Sequence, residues 1–393
     1  MRIATALCTA ILLLAAASTG QGQQPTAEEL IARIEAPQSP NRQGFDSFTV
    51  LELMERFNVP GASIAVIKDF KVHFTSAYGM ADVTAGAPVT AETLFQAASI
   101  SKPVTAVAVM RAVQAGKLDL DADVNTYLKS WKVPENEHTR GRPVTLRALL
   151  SHTSGTGDGF GFPGYHPSAE LPSLVQILNG EKPSNVGRVF WERPPLVAAK
   201  YSGGGTVIVQ LILTEVYGKD FAALMRELVL DALGMSNSTF EQPLPAARDK
   251  QAARAHDGRG RAMDAKWHVY PEQAPAGLWT TPADLAKLAI EVQKALRGQS
   301  KLLTRASAQE LTSPVGAGGF AVGFGVDKRG EGWYFMHGGS NWGFQCDLLV
   351  QRLKGYGVVI MTNSNSGRPL INELEARIAA AYNWDSLDKP VPR

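Results

Sequence analysis

Apolar positions along this chain repeat with two periods, and the points where the period changes mark its elements. Residues 25–36 carry Leu30, Ile31 and Ile34 on one face, which predicts a short amphipathic helix. Residues 62–68 and 71–78 read as two strands joined by a tight turn at Asp69-Phe70. The spacing of Val104, Val107, Ala108, Arg111 and Ala112 then predicts a helix that starts near Ser99 and stops at Gly116. From about 118 to 255 the pattern is largely helical and broken by loops. Its clearest helices are 207–217 and 221–233, the latter closed by Gly234. Thr281 is placed as the N-cap of a helix over 282–296. Four strand-like runs follow at 321–328, 333–337, 344–350 and 357–362, with connections short enough for an antiparallel meander, and a last helix is expected over 370–382. Strands at both ends around a helical middle predict an α/β (α+β) architecture. An antiparallel sheet flanked by helices would form a lobe from about 45–115 and 265–385, with a mostly helical lobe, about 116–264, inserted between. The chain shows no internal repeat.

The first residues break this pattern. Met1-Arg2 precedes an uninterrupted, mostly apolar run over 3–17 centred on Leu12-Leu13-Leu14, and small residues follow. Residues 1–22 read as a secretory signal peptide, too short in its apolar part to span a bilayer comfortably. Cys8 is preceded by Leu7 rather than a small residue, which argues for export over lipid attachment. The expectation is a periplasmic or secreted domain over 25–390 with no stable membrane insertion after cleavage. Cleavage would leave Cys346 as the single cysteine, in a strand-like run, as a small buried hydrophobe. With 393 residues, 45% apolar, 19% charged and a net charge of +2, the chain is an ordinary globular one. Nothing in that balance calls for a nucleic-acid partner.

Several motif matches fail on context. Residues 159–164 spell GxGxxG, but no strand precedes them, and Pro163 and Pro167 forbid a following helix. None of the seven histidines has metal-ligand spacing, and no cofactor is implied. His152, ahead of a Gly turn, is read as a structural hydrogen-bonding residue. Ser99-Ile100-Ser101-Lys102 is different. It puts a hydroxyl and an amine almost one helical turn apart at a helix start, with Pro103 where the missing N–H costs nothing. A serine becomes a useful nucleophile when a neighbouring base takes its proton, and the helix N-terminus favours developing negative charge. A first-turn lysine runs against the dipole's preference, which weighs against a purely structural role. Two Gly-rich turns add a presented tyrosine, Lys200-Tyr201-Ser202-Gly203, and a strand end open to close approach, His337-Gly338-Gly339-Ser340.

Ser99-x-x-Lys102, then Tyr201-Ser202-Gly203, then His337-Gly338-Gly339 resembles, in order and spacing, the serine β-lactamase and penicillin-binding superfamily, in its class C β-lactamase-like branch. The resemblance covers about 59–382 and implies a β-lactamase/transpeptidase-like fold. It implies Ser99 as the acylated nucleophile, Lys102 as its activator, and Tyr201 as proton shuttle to the leaving group. His337 stands where the family has the lysine of Lys-Thr-Gly. The backbone N–H groups of Ser99 and Ser340 would form the oxyanion hole, and Gly338 and Gly339 would line the substrate. Two departures matter. Gly203 replaces the asparagine of Tyr-x-Asn and so loses a side-chain hydrogen bond to substrate, worth about 1 kcal/mol. An imidazole at 337, only partly charged near neutral pH, would hold a carboxylate less firmly than an ammonium. Asn363 and Arg368 are further candidates for carboxylate binding. The implied activity is hydrolysis of esters or amides in a small-molecule or peptide substrate through a Ser99 acyl-enzyme. The alternatives are a class C-like β-lactamase or D-Ala-D-Ala carboxypeptidase, and a non-catalytic relative that binds peptidoglycan.

Overall fold

The computed structural model describes residues 25–38, 44–159, 161–316, 318–330 and 332–384. The expected signal peptide lies outside them. Nine strands occur among the described residues: β1 Gly61–Lys68, β2 Lys71–Asp82, β3 Ala87–Pro88, β4 Phe95–Gln96, β5 Trp279–Thr280, β6 Gly325–Arg329, β7 Gly332–Asn341, β8 Phe344–Gln351 and β9 Gly357–Thr362. Seven form one sheet in the order β3-β2-β1-β9-β8-β7-β6, while β4 and β5 pair separately. The last four strands of this sheet are the predicted meander. Its closure onto the first two is the β1–β9 pair, antiparallel with Ala62 opposite Thr362. Asp69 and Phe70, both at positive φ, make the tight turn between β1 and β2.

The helices are α1 Ala27–Glu35, α2 Val50–Arg56, α3 Ser101–Gln114, α4 Leu146–Leu150, α5 Leu174–Asn179, α6 Gly203–Tyr217, α7 Phe221–Met225, α8 Gln273–Ala276, α9 Pro282–Leu296, α10 Arg305–Thr312 and α11 Gly367–Ala381. They cover both faces of the sheet, and the strands show it at period two. Ile64, Val66, Val358 and Ile360 join one core with α1, α2 and α11. Ala65, Ile67, Val359 and Met361 join the other with α3, α6 and α9. Thr281 caps α9 through a hydrogen bond from the Asp284 N–H, as its sequence predicts. The inserted segment is less regular than its pattern suggested. Between α4 and α6 the chain is mostly loop, and the run after Phe221 changes from α7 to a π turn over 226–230. No helix among the described residues is long and apolar enough to cross a membrane.

Candidate active site

Ser99 does not begin the long helix. It sits in a 3₁₀ turn over 98–100 that feeds α3, and Ala98 just before it has φ +49°. A left-handed alanine costs roughly 1–2 kcal/mol, so its surroundings must hold it there. Three contacts do so. Ser101 Oγ donates to the Ala98 carbonyl at 2.6 Å and accepts from the Leu278 N–H at 3.0 Å. The Cys346 thiol donates to the Ala97 carbonyl at 3.0 Å. Cys346 is thus buried, as expected, and its burial pushes the thiol's titration well up. The turn also leans on β7 at Gly339, where a Cβ would lie 2.4 Å from the Ala97 oxygen.

Ser99 itself is half-buried, and two donors converge on it. Tyr201 Oη donates to Ser99 Oγ at 2.7 Å, and Lys102 Nζ donates to it at 3.1 Å. Lys102 also donates to the Pro275 carbonyl of α8 at 3.0 Å and lies 4.8 Å from the centroid of the Tyr201 ring. The structure therefore brings Ser99 and Lys102, from one continuous stretch, together with Tyr201, about a hundred residues further on, in one cluster. Tyr201 is presented by the turn before α6. Ser202 caps that helix, accepting from the Gly205 N–H at 2.8 Å and donating to Asp158 at 2.8 Å. Gly204 donates its own N–H to Asp158 at 3.2 Å. Gly203 lies in the first turn of α6, buried, and offers no side chain to the cleft.

His152 plays the structural part expected of it. Its Nδ1 accepts from the Ser202 N–H at 3.2 Å, and its ring lies 4.4 Å from the Tyr201 ring and 4.7 Å from Phe320. Burial, with Lys102 nearby, holds its titration well below the usual histidine range. His337 corrects an expectation. It is buried 6.3 Å from the Tyr201 ring, its Nδ1 is bonded to the Gly338 carbonyl, and its Nε2 is buried without a partner. Desolvation and the charge of Lys102 lower its pKa to about 3, so it is neutral across the physiological range rather than partly charged.

β6 pairs with β7 only as far as Met336, while β8 pairs with it through Asn341. Residues 337–341 therefore leave one edge without a strand, and Ser340 lies in this open stretch. Its side chain faces away and accepts from Gln345 Nε2 at 2.8 Å. A cleft of about 920 Å³ runs from Tyr201, His337 and Gly338 out past Phe320, Val326 and Trp333. Two sequence candidates lie elsewhere. Asn363 is fully buried, its amide donating to the carbonyls of Met80 and Ala81, so it ties strands together and has no face toward the cleft. Arg368 Nη1 donates to Asp347 at 2.7 Å and Nη2 to the Cys346 carbonyl at 3.1 Å. That pair sits where a Cβ at Gly338 would point, opposite the face of Gly339 and Ser99. Sequence reading missed Asp158, Phe320 and the Pro275 carbonyl. Only Asp158 left a trace, since Ser202 ahead of three glycines is a readable cap in need of an anchor. Among the described residues, no group of three or more acidic, histidine or cysteine side chains could hold a metal ion.

The chain as a whole is similar to known proteins. Protein flp of Staphylococcus aureus (strain N315) is 24% identical over 328 residues, 80% of this chain but 61% of that protein, so the chain spans under two thirds of its length. Esterase EstB of Burkholderia gladioli is 26% identical over 344 residues, 77% of this chain and 86% of that enzyme. The octameric penicillin-binding protein homologue from Pyrococcus abyssi superposes with a TM-score of 0.70 at 24% identity, covering 87% of this chain and 78% of its own, and shares the fold. Residues 49–383, from α2 to beyond α11, match the Beta-lactamase family, and the chain belongs to that family.

Proposed function

We propose that this protein is an exported serine hydrolase that cleaves ester or amide bonds through an acyl-enzyme at Ser99. The observation that carries the reading is the convergence of Tyr201 Oη and Lys102 Nζ on a half-exposed Ser99 Oγ, at 2.7 and 3.1 Å. A hydroxyl flanked by two proton-handling groups at hydrogen-bond distance is poised to lose its proton as it attacks. In this reading Ser99 Oγ adds to the carbonyl carbon while its proton passes to the Lys102–Tyr201 pair. The oxyanion is held by the backbone N–H groups of Ser99 and Ser340; such donors are each worth roughly 3 kcal/mol in the transition state. Tyr201 then protonates the departing alcohol or amine. A water molecule attacks the acyl-enzyme by the same route reversed, giving acid and free Ser99.

Esters and amides rank above β-lactams because the groups next to Ser99 supply little to grip an anion. His337 is neutral, Gly203 has no side chain, and Asn363 and Arg368 are engaged elsewhere. The relationship to Esterase EstB supports the same ranking. The test is labelling with a fluorophosphonate, read by intact mass, in the wild type and in Ser99→Ala. One label per wild-type chain and none on the variant is expected; equal labelling of both, or none on folded wild type, rejects the assignment. Turnover of nitrocefin, a nitrophenyl ester and a D-Ala-D-Ala peptide by the unlabelled wild-type enzyme then ranks the activities.

A further inference from the structure

Two hollows meet beside the Ser99 cluster. The larger is the cleft of about 920 Å³ that starts at Tyr201 and His337. The second, about 480 Å³, is lined by Thr153, Leu196, Val197, Ala199 and Val315, and acyl transfer as described above makes no use of it. Gly316 and Gly318 border both. The boundary is open at Gly316, while at Gly318 a Cβ would lie 3.0 Å from Ala199 Cβ. A Cβ at Gly316 would meet nothing within 4 Å, and one at Gly319 only the Val326 carbonyl oxygen at 3.9 Å.

The outer rim of the second hollow is held in place. Leu196 and Val197 are 55% and 69% exposed, yet their backbone is tied down on both sides. Leu196 N donates to the Thr153 carbonyl at 2.6 Å, and Lys200 N to the His152 carbonyl at 2.8 Å. Leu196 has φ +67°, a conformation costly for leucine. Scattered exposed aliphatic residues need no explanation. Two adjacent ones, on a pinned and strained loop, at the mouth of an apolar hollow that adjoins the cleft beside Tyr201, do. Charge is scarce here as well. Arg147, the one charged residue lining the hollow, is bonded to Asp121 at 2.7 Å and also paired with Glu310. The charges of the larger cleft, Asp327, Lys328 and Arg329, lie at its far end, with Arg329 3.6 Å from Asp327.

We infer that the second hollow is an apolar subsite that takes the hydrocarbon chain of a neutral ester or amide whose carbonyl is held at Ser99. The inference rests on the reading of Ser99 as nucleophile. The chain runs from the Tyr201–His337 end of the cleft, over the boundary at Gly316 and Gly318, to lie against Val315, Leu196 and Val197. Each methylene removed from water is worth roughly fourfold in binding, so two buried methylenes give about fifteenfold.

The experiment compares wild type, Val197→Asp and Gly319→Leu, each first checked for an unchanged thermal transition. Val197 is exposed, and a side chain at 319 points into open space, so both variants are expected to fold. One arm measures kcat/KM for nitrophenyl decanoate relative to nitrophenyl acetate. The other uses Ser99→Ala protein, alone and combined with each substitution, titrated calorimetrically with N-decanoyl-glycinamide and N-acetyl-glycinamide. The expected result is a preference of about fifteenfold or more for the decanoyl ligand, cut about tenfold by either substitution in both arms. Equal binding of the two amides, or a preference that both substitutions leave intact, overturns the subsite. A chain-length preference in the titration without hydrolysis or fluorophosphonate labelling would overturn the nucleophile instead and leave the subsite standing.

Discussion

Adjacent glycines on β7 face opposite sides of the sheet, and methylating each in turn separates support of the nucleophile from general packing. In Gly339→Ala the new Cβ would lie 2.3 Å from Cys346 Sγ, 2.4 Å from the Ala97 oxygen and 3.1 Å from Ala98 Cβ. Ordinary contact begins about 1 Å further out, so the turn over 97–99, the strand, or both must retreat by about that distance. Neither has slack. Cys346 and Ala97 are fully buried and bonded to each other, and Ala98 already carries a strained φ. Overpacking of this kind costs about 1–3 kcal/mol, and displacing a reacting group by about 1 Å costs around a hundredfold in rate. In Gly338→Ala the Cβ would instead approach Asp347 Oδ1 at 3.1 Å and Arg368 Nη2 at 3.2 Å. Both are side-chain ends that can shift by a few tenths of an ångström. The assay is the rate of fluorophosphonate acylation, followed by intact mass, alongside the thermal midpoint. Gly339→Ala should acylate roughly a hundredfold more slowly while still folded, and Gly338→Ala within a few fold of wild type. If the two variants acylate at the same rate, β7 does not hold the Ser99 turn as argued.

Two further predictions concern pH and stability. Glu272 is buried, and burial, only partly offset by Tyr165 nearby, raises its pKa from 4.5 to about 7. Folding therefore takes up a proton, so its contribution is intact below pH 4.5 and is lost as pH rises through 7, by about 3 kcal/mol in full. Glu272→Gln should accordingly narrow the fall in Tm between pH 5 and pH 8; an unchanged fall would refute the assignment. His337 has the opposite sign. Its pKa drops from 6.5 to about 3, so the unfolded chain binds the extra proton, and stability is lost as pH falls below 6.5, on the order of 2 kcal/mol by pH 5. His337→Asn should flatten the acid side of the Tm profile, and a wild-type slope in the variant would show that the proton is taken up elsewhere.

What could be read from the sequence follows the range of the interactions. Ser99 and Lys102 are three residues apart, so local helical geometry was enough to pair them. The meander and the capped α9 were equally local, set by alternation and by a single threonine. Tyr201 needed the ordered resemblance, because its meeting with Ser99 crosses about a hundred residues of loop and helix. The start of α6 was hidden for a different reason. Gly203, Gly204 and Gly205 read as a turn, yet the Ser202 cap and Asp158 make them helical, and a Cβ at Gly204 would lie 2.3 Å from Val189 Cγ2. Close packing there selects glycine against its own helix propensity. Asn363 and Arg368 failed as site candidates because strand polarity and neighbouring acids, invisible in one dimension, decide which way a side chain turns. The irregular middle was overread as helix, because apolar spacing cannot distinguish a buried loop from a helical face.

The neutrality of His337 follows first from burial and then from the charge of Lys102. A second cation beside Lys102 would face like charge in a region shut off from water, where such repulsion is large unless an anion is present. A lysine at position 337 would supply that cation, and a substrate carboxylate would be the natural anion to offset it. With a histidine there, the pocket sheds the proton instead, and its electrostatics close without any help from a ligand. Lys102 is already met by Ser99 Oγ, the Pro275 carbonyl and the Tyr201 ring. A carboxylate held between His337 and Ser99 would give up its hydration for little return, whereas an uncharged ester would give up almost none. The same substitution that weakens a grip on anions therefore lowers the cost of admitting neutral, apolar substrates.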